Sequence, residues 1–120
     1  MKLNLILLTF FLAGVAQGQS GEQLTAKPDP HKKLLLVEAA CGLCQFEMKS
    51  DECALAVRMD GKLYFTDGTN IDAHGDAHAK DGFCNAIRKA AVQGEVVNNR
   101  FKVSYFRLLP VAKDSTKTKN

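Results

Sequence analysis

Four cysteines and two histidines are the side chains of this sequence best suited to joint chemistry. Two of the cysteines have a Cys-x2-Cys spacing, which puts two thiolates on one tight loop within reach of a single ion. The histidines have i,i+4 spacing, which presents two imidazoles on one side of a helical turn. The pattern predicts a transition-metal site. The six candidate ligands are Cys41, Cys44, Cys53, His74, His78 and Cys84.

Zinc is the metal that these residue types favour first. A tetrahedral Zn²⁺ site needs four ligands from thiolates and imidazoles. Cys41 and Cys44 supply two, and Cys53 with Cys84, or one of the histidines, would complete the set. Thiolate together with imidazole also suits copper, so the identity of the metal stays open.

Disulfide bonds are the competing use of the same sulfurs. An even number of cysteines in a short exported chain is typical of covalent cross-linking, and four cysteines allow three pairings. The pairing that we expect in that case joins Cys53 to Cys84 and Cys41 to Cys44. The sequence alone does not choose between the metal site and the disulfides.

A thiol–disulfide redox protein is a third hypothesis, because Cys41-Gly42-Leu43-Cys44 follows an apolar strand as in oxidoreductase loops. The chain has no tryptophan, and no proline lies between Cys44 and Leu109 to form the expected cis-proline turn. No catalytic triad, phosphate-binding glycine loop or carboxylate pair is recognisable either. We therefore expect a non-enzymatic protein.

Residues 1–18 have the features of a signal peptide. A positive start at Met1-Lys2 precedes an apolar run, and Ala16-Gln17-Gly18 offers small residues for cleavage after Gly18. The apolar run is shorter than the roughly 20 residues of a membrane-spanning helix. We expect a periplasmic or secreted protein with no membrane span after cleavage; an uncleaved anchor is the alternative.

One domain, at residues 33–111, follows a polar leader at 19–32 that we expect to be flexible. A polar tail at 112–120 is expected to be disordered. The net charge is only +3, and no basic stripe with interleaved aromatic residues indicates nucleic acid as a partner. The expected partner is an unknown protein or small ligand bound on the face of the domain.

Five strands and one helix are the elements that must position the candidate ligands. Four-residue spacing of Phe83, Ile87 and Ala91 predicts the helix within 76–91. Hairpin signals stand at Asp60-Gly61 and Asn98-Asn99. Apolar and alternating segments predict strands at 34–40, 54–59, 62–66, 95–97 and 101–109.

The order β-β-β-α-β-β predicts a mainly β fold with one helix, a small five-stranded barrel of the oligonucleotide/oligosaccharide-binding (OB) type. An α+β sandwich is the alternative. Consecutive antiparallel strands alternate in direction, so the loops after the first and third strands lie at the same end. The six candidate ligands are therefore expected at one end of the barrel.

Three stretches of the sequence resemble an uncharacterised family of short exported bacterial proteins. These are residues 37–46, 55–62 and 74–90, and the last contains the specific motif His74-Gly75-Asp76-Ala77-His78. It is a domain-of-unknown-function family, best represented among Bacteroidetes. Some members are labelled glutaminyl-tRNA synthetase, but this chain is too short and lacks both the nucleotide-binding signature and a basic tRNA surface.

The resemblance implies which residues belong together and implies no activity. Relatives keep a Cys-x2-Cys, a further cysteine and a His-Cys pair. In this chain those motifs fall on Cys41, Cys44, Cys53, His78 and Cys84. The spacing from His78 to Cys84 is longer than in the relatives, which puts that histidine's part in the group in doubt.

Overall fold

Both hairpin signals form the turns that the sequence predicts. Asp60 and Gly61 adopt φ values of 49° and 78°, and Asn98 and Asn99 adopt 51° and 62°. Positive φ at both central residues matches the right-handed twist of the flanking strands. These two turns therefore set the register of the second and third strands and of the last two.

The computed structural model describes residues 24–111. The predicted signal peptide at 1–18, the leader residues 19–23 and the tail at 112–120 lie outside the described residues. The elements are β1 (Leu35–Cys41), α1 (Gly42–Gln45), β2 (Leu55–Met59), β3 (Lys62–Asp67), β4 (Arg88–Val97) and β5 (Arg100–Leu108).

The strands close into a barrel in the order β1-β2-β3-β5-β4. β1 pairs with both β2 and β4, and β3 meets β5 in a short parallel pairing of Thr66 with Phe101 and Asp67 with Lys102. A closed five-stranded barrel with a Greek-key crossover is the architecture of the OB type. The predicted mainly β fold with five strands and one helix is confirmed over the α+β sandwich.

Alternation along β1 brings a cysteine into the barrel interior. Val37, Ala39 and Cys41 share one parity and are buried in the same core cluster, whereas Leu36 is 75% exposed. Successive side chains of a strand point to opposite faces, so the sulfur of Cys41 enters the core at the end of β1. The Cys41 side chain therefore lies at the boundary between the barrel interior and the loop that follows β1.

The helix predicted within 76–91 is not found there. Residues 71–85 form a series of turns, and 88–91 belong to β4. Three backbone bonds in this segment join residues three apart, from Ala79 to Asp76, Gly82 to Ala79 and Asn85 to Gly82. Within residues 24–111 the one α-helix is α1, next to β1, and no helix there is long and apolar enough to cross a membrane.

Polar side chains compete with the helix in this segment. The carboxylate of Asp76 accepts a bond from the backbone N–H of His78, and the amide of Asn85 donates to the carbonyls of His78 and Ala79. Such local bonds satisfy backbone groups outside a helix. Ala91, whose spacing from Phe83 indicated a helix, pairs instead with Leu36 as a strand residue.

Residues 24–32, which we expected to belong to a flexible leader, contact the barrel. The N–H of Thr25 donates to the carbonyl of Ser104 at 2.9 Å. The buried amide of Gln93 accepts from the N–H of Asp29 and donates to the carbonyls of Asp29 and Lys32. The packed part of the chain therefore begins at Leu24, which packs against the core, and not at residue 33.

Candidate metal centre

Four sulfur atoms lie together at one end of the barrel. The Sγ atoms of Cys41, Cys44, Cys53 and Cys84 are all within 4.8 Å of one another. In the part of the chain that the structure describes, these four form the group of ligands suited to a metal ion. Four of the six candidate residues are thus brought together.

Strand register and α1 place the first three sulfurs. Cys41 pairs with Leu55 in the β1–β2 ladder, which puts Cys53, two residues before Leu55, beside Cys41. The chain then turns at once into α1, where the N–H of Cys44 donates to Cys41 Sγ at 3.3 Å. The Cys-x2-Cys spacing therefore works here as one tight helical turn at a strand end.

Backbone hydrogen bonds bring the fourth sulfur from the β3–β4 connection. The N–H of Cys41 donates to the carbonyl of Phe83 at 2.9 Å, and the N–H of Cys84 donates to the carbonyl of Ala77 at 3.0 Å. Gln45 Nε2 in α1 donates to the carbonyl of Cys84 at 2.8 Å. Sequence analysis did not single out Gln45, because no local pattern marks a side chain that positions a neighbouring loop.

The cluster contains one disulfide and two thiols. Cys41 is bonded to Cys53, while Cys44 and Cys84 are free. Our expected pairing of Cys53 with Cys84 and Cys41 with Cys44 is wrong in this structure. The ladder pairs Cys41 with Leu55 and so brings the nearby Cys53 within bonding distance of Cys41, whereas Cys44 in α1 is exposed. The two thiols remain close to the disulfide, with Cys53 Sγ 3.2 Å from Cys84 Sγ and 3.6 Å from Cys44 Sγ.

The two histidines lie outside the group of sulfurs. His74 Nε2 is 2.7 Å from the hydroxyl of Thr69, and its ring stacks on Phe106 with centroids 4.1 Å apart. Burial lowers the pKa of His74. The His78 side chain is 83% exposed, with Nδ1 4.0 Å from a carboxylate oxygen of Asp76. The predicted helix would have set both imidazoles on one side, and the turns do not.

Electrostatics at Cys84 favour the neutral thiol while no cation is present. Burial raises the pKa of Cys84, and the neighbouring Cys44 and the carboxylates of Asp72 and Asp76 raise it further. A divalent cation would reverse this balance, because it stabilises the coordinating thiolates directly. A bound cation would therefore favour the Cys84 thiolate, which burial and the neighbouring groups disfavour.

The spacing of the sulfurs fits a tetrahedral ion once all four are thiolates. Zn–S bonds of about 2.3 Å at tetrahedral angles separate the sulfurs by about 3.8 Å. Two of the separations here, 3.2 and 3.6 Å, are shorter than that value, and every pair lies within 4.8 Å. The disulfide must open before Cys41 and Cys53 can serve as thiolate ligands.

The fold and the cluster define a small OB-like barrel with four cysteines at one end. Residues 35–109 match the family described as "Family of unknown function (DUF6370)", and the chain belongs to that family. The prediction of an uncharacterised domain-of-unknown-function family is confirmed. Comparison with curated proteins gave no match, and comparison with solved structures gave none either.

Proposed function

We propose that this protein is an exported, non-enzymatic barrel domain that binds Zn²⁺ through the thiolates of Cys41, Cys44, Cys53 and Cys84. The observation that carries the proposal is the convergence of four Sγ atoms to within 4.8 Å of one another from separate segments of the chain. A structural zinc site is built from such a set.

The composition of the ligand set favours zinc over Cu²⁺. Imidazole was the reason to consider copper, and the sulfur group within the described residues contains neither histidine. Four sulfur ligands in a tetrahedral arrangement are typical of zinc or iron–sulfur sites. Four sulfurs at these separations can surround one metal ion.

A site with four protein ligands also supports a non-catalytic role. Catalytic zinc keeps one position open for water or substrate, whereas structural sites have four protein ligands. Four sulfurs would fill the coordination of a tetrahedral ion here. The metal would then stabilise the junction of β1, α1 and the β3–β4 connection in a domain too small to bury a large core.

Export is the second part of the proposal and rests on the sequence of residues 1–18. Their basic start, short apolar run and small residues before Gly18 support cleavage and release into the periplasm or the medium. The unknown partner, a protein or a small ligand, would then meet the barrel face outside the cytoplasm.

Metal analysis of the reduced protein tests the zinc site. The chain from Gln19 onward is purified anaerobically with a phosphine reductant, its four thiols are counted, and zinc is measured by mass spectrometry. We expect one Zn²⁺ per chain, and Co²⁺ substitution should give the charge-transfer bands of thiolate ligands. His78→Ala, at an exposed side chain, is the control. A fully reduced chain without bound metal would refute the proposal.

A disulfide-stabilised binding module is the second candidate, and the Cys41–Cys53 bond is the observation that favours it. In that case the domain would use the bond as a permanent cross-link between the end of β1 and the segment that precedes β2. A reductant would then destabilise the purified protein, and a chelator would leave its unfolding transition unchanged.

A further inference from the structure

We propose that the cluster is a redox-gated metal site, in which the Cys41–Cys53 disulfide is the metal-free state and the four thiolates are the metal-binding state. The proposal rests on the zinc-binding function proposed above and adds its regulation. The co-reactant is a small or protein dithiol outside the cytoplasm, which reduces the disulfide by attack on one of its two sulfurs.

Two exclusive uses of the same sulfurs are the basis of the gate. In the disulfide, Cys41 and Cys53 have no thiolate to offer, so the oxidised cluster retains two thiols, Cys44 and Cys84. Zinc needs deprotonated sulfur ligands, and two are too few for a tetrahedral site. Opening one bond therefore doubles the number of available ligands.

The two free thiols are already in position when that bond opens. Cys84 Sγ lies 3.2 Å and Cys44 Sγ 3.6 Å from Cys53 Sγ while the disulfide is intact. Hydrogen bonds to Phe83, Ala77 and Gln45 hold these segments without the disulfide's help. Reduction would therefore add the thiols of Cys41 and Cys53 to two thiols that these hydrogen bonds already hold nearby.

Accessibility decides which sulfur a reductant attacks. The Cys41 residue is completely buried, whereas Cys53 is only partly buried. Exchange needs the attacking thiolate to reach the disulfide sulfur, so access selects the site of attack. We therefore expect attack at Cys53 Sγ, with Cys41 as the leaving thiolate.

The reaction balances with a dithiol as the electron donor. One thiolate of the donor forms a bond to Cys53 Sγ and breaks the bond to Cys41, whose sulfur leaves with the electron pair. The second thiolate of the donor then attacks the donor sulfur that is bonded to Cys53, and Cys53 leaves as a thiolate. The donor ends as a disulfide, having supplied two electrons, and binding of Zn²⁺ by the four cysteines releases their remaining thiol protons.

Thermodynamic linkage between zinc binding and disulfide reduction makes the proposed regulation measurable. If zinc binds only the reduced cluster, the dithiol–disulfide equilibrium must shift toward the reduced state as free zinc rises above its dissociation constant. Each tenfold increase in free zinc then changes that equilibrium constant tenfold, which is about 30 mV for a two-electron couple. A permanent cross-link would show no dependence on zinc.

A redox titration in glutathione buffers, with free zinc fixed by a metal buffer, tests the gate. Alkylation and mass spectrometry report the fraction of Cys41–Cys53 disulfide. We expect about a tenfold shift per decade of zinc, and zinc binding at least about a hundredfold weaker in the oxidised chain. A titration that is independent of zinc, with the reduced chain binding zinc normally, would overturn the gate and leave the zinc site intact.

The site of attack is tested in a Cys44→Ser/Cys84→Ser variant, which keeps only the disulfide sulfurs. After brief treatment with glutathione and rapid alkylation, peptide mapping should place glutathione on Cys53 and the alkyl group on Cys41. Glutathione on Cys41 would refute attack at Cys53. A reduced wild-type chain that binds no zinc would refute the zinc site itself, which separates the two failures.

Discussion

The sulfur cluster and the surroundings of His74 receive residues from the same β3–β4 connection, yet they differ in kind. Backbone hydrogen bonds hold Cys84 at a junction that contains one disulfide and two thiols. His74 is held by aromatic rings and one hydroxyl. Phe83 belongs to both regions, because its carbonyl accepts from Cys41 and its ring meets His74 and Phe106 edge-on. Phe83 thus links the two regions, through its carbonyl on the sulfur side and through its buried ring on the imidazole side.

Removing that ring should have the largest effect. Phe83 is 3% exposed in the core cluster, so Phe83→Ala should lower the free energy of unfolding by about 3–5 kcal/mol. Ile87→Ala, in the same connection but 41% exposed, should cost no more than about 0.5 kcal/mol. Urea unfolding of the two variants measures both values. A loss below about 1 kcal/mol for Phe83→Ala would mean that the ring does not unite the two regions.

The second-largest expected effect is a difference in zinc affinity between a variant of the sulfur cluster and a variant of His74. Cys53→Ser removes the sulfur that lies 3.2 Å from Cys84 Sγ and 3.6 Å from Cys44 Sγ. Loss of a ligand should weaken zinc binding by at least about a hundredfold, beyond the usual effect of outer-shell changes. His74→Gln should leave the affinity unchanged. Competition with a coloured chelator under reducing conditions measures both. Equal losses for the two variants would place His74 in the metal site.

Distortion of the turn before Cys84 should have a smaller effect, with every ligand retained. A Cβ added at Gly82 would lie 2.4 Å from the carbonyl oxygens of Ala77 and Asp76, so Gly82→Ala must shift the backbone that positions Cys84. We expect about a tenfold loss of zinc affinity, as for other changes that misplace ligands. Gly61→Asn, where a Cβ meets nothing within 4 Å, is the control. Unchanged affinity in Gly82→Ala would show that the loop adapts.

Local signals in the sequence were sufficient for the number of strands and for both hairpin turns. Asp60-Gly61 and Asn98-Asn99 specify hairpin turns through their backbone preferences, which depend on few neighbours. Alternating burial in β5, as at Phe101 and Val103, is also a local pattern. Strand direction then places the loops after β1 and β3 at one end, where the four sulfurs lie. None of these steps requires knowledge of side-chain packing.

The remaining details depend on contacts between distant residues. The four-residue spacing of Phe83, Ile87 and Ala91 resembles a helix, but a strand partner for Ala91 and side-chain bonds from Asn85 prevail. The disulfide pairing follows from ladder register, which sequence spacing does not contain. The position of His74 depends on the ring of Phe106, a residue on β5, and no spacing rule links the two.

The smallest expected effect is on the pH dependence of the free energy of unfolding, and it concerns the surroundings of His74. Burial lowers the pKa of His74 below its ordinary value of 6.5, so the unfolded chain takes up this proton more readily than the folded one. The contribution of His74 is therefore fully present above pH 6.5 and is lost as the pH falls through the folded pKa. Urea unfolding between pH 7.5 and 4.5 should show a smaller acid loss in His74→Gln than in the wild type.

The exposed histidine provides the matched control for that measurement. His78 is 83% exposed, so His78→Gln should follow the wild-type curve across the same pH range. Carboxylates also titrate below pH 5, but they are common to all three proteins and cancel in the differences. If His74→Gln and His78→Gln give the same curve, the aromatic surroundings of His74 do not affect its protonation, and the contrast between the two regions would then rest on the sulfurs alone.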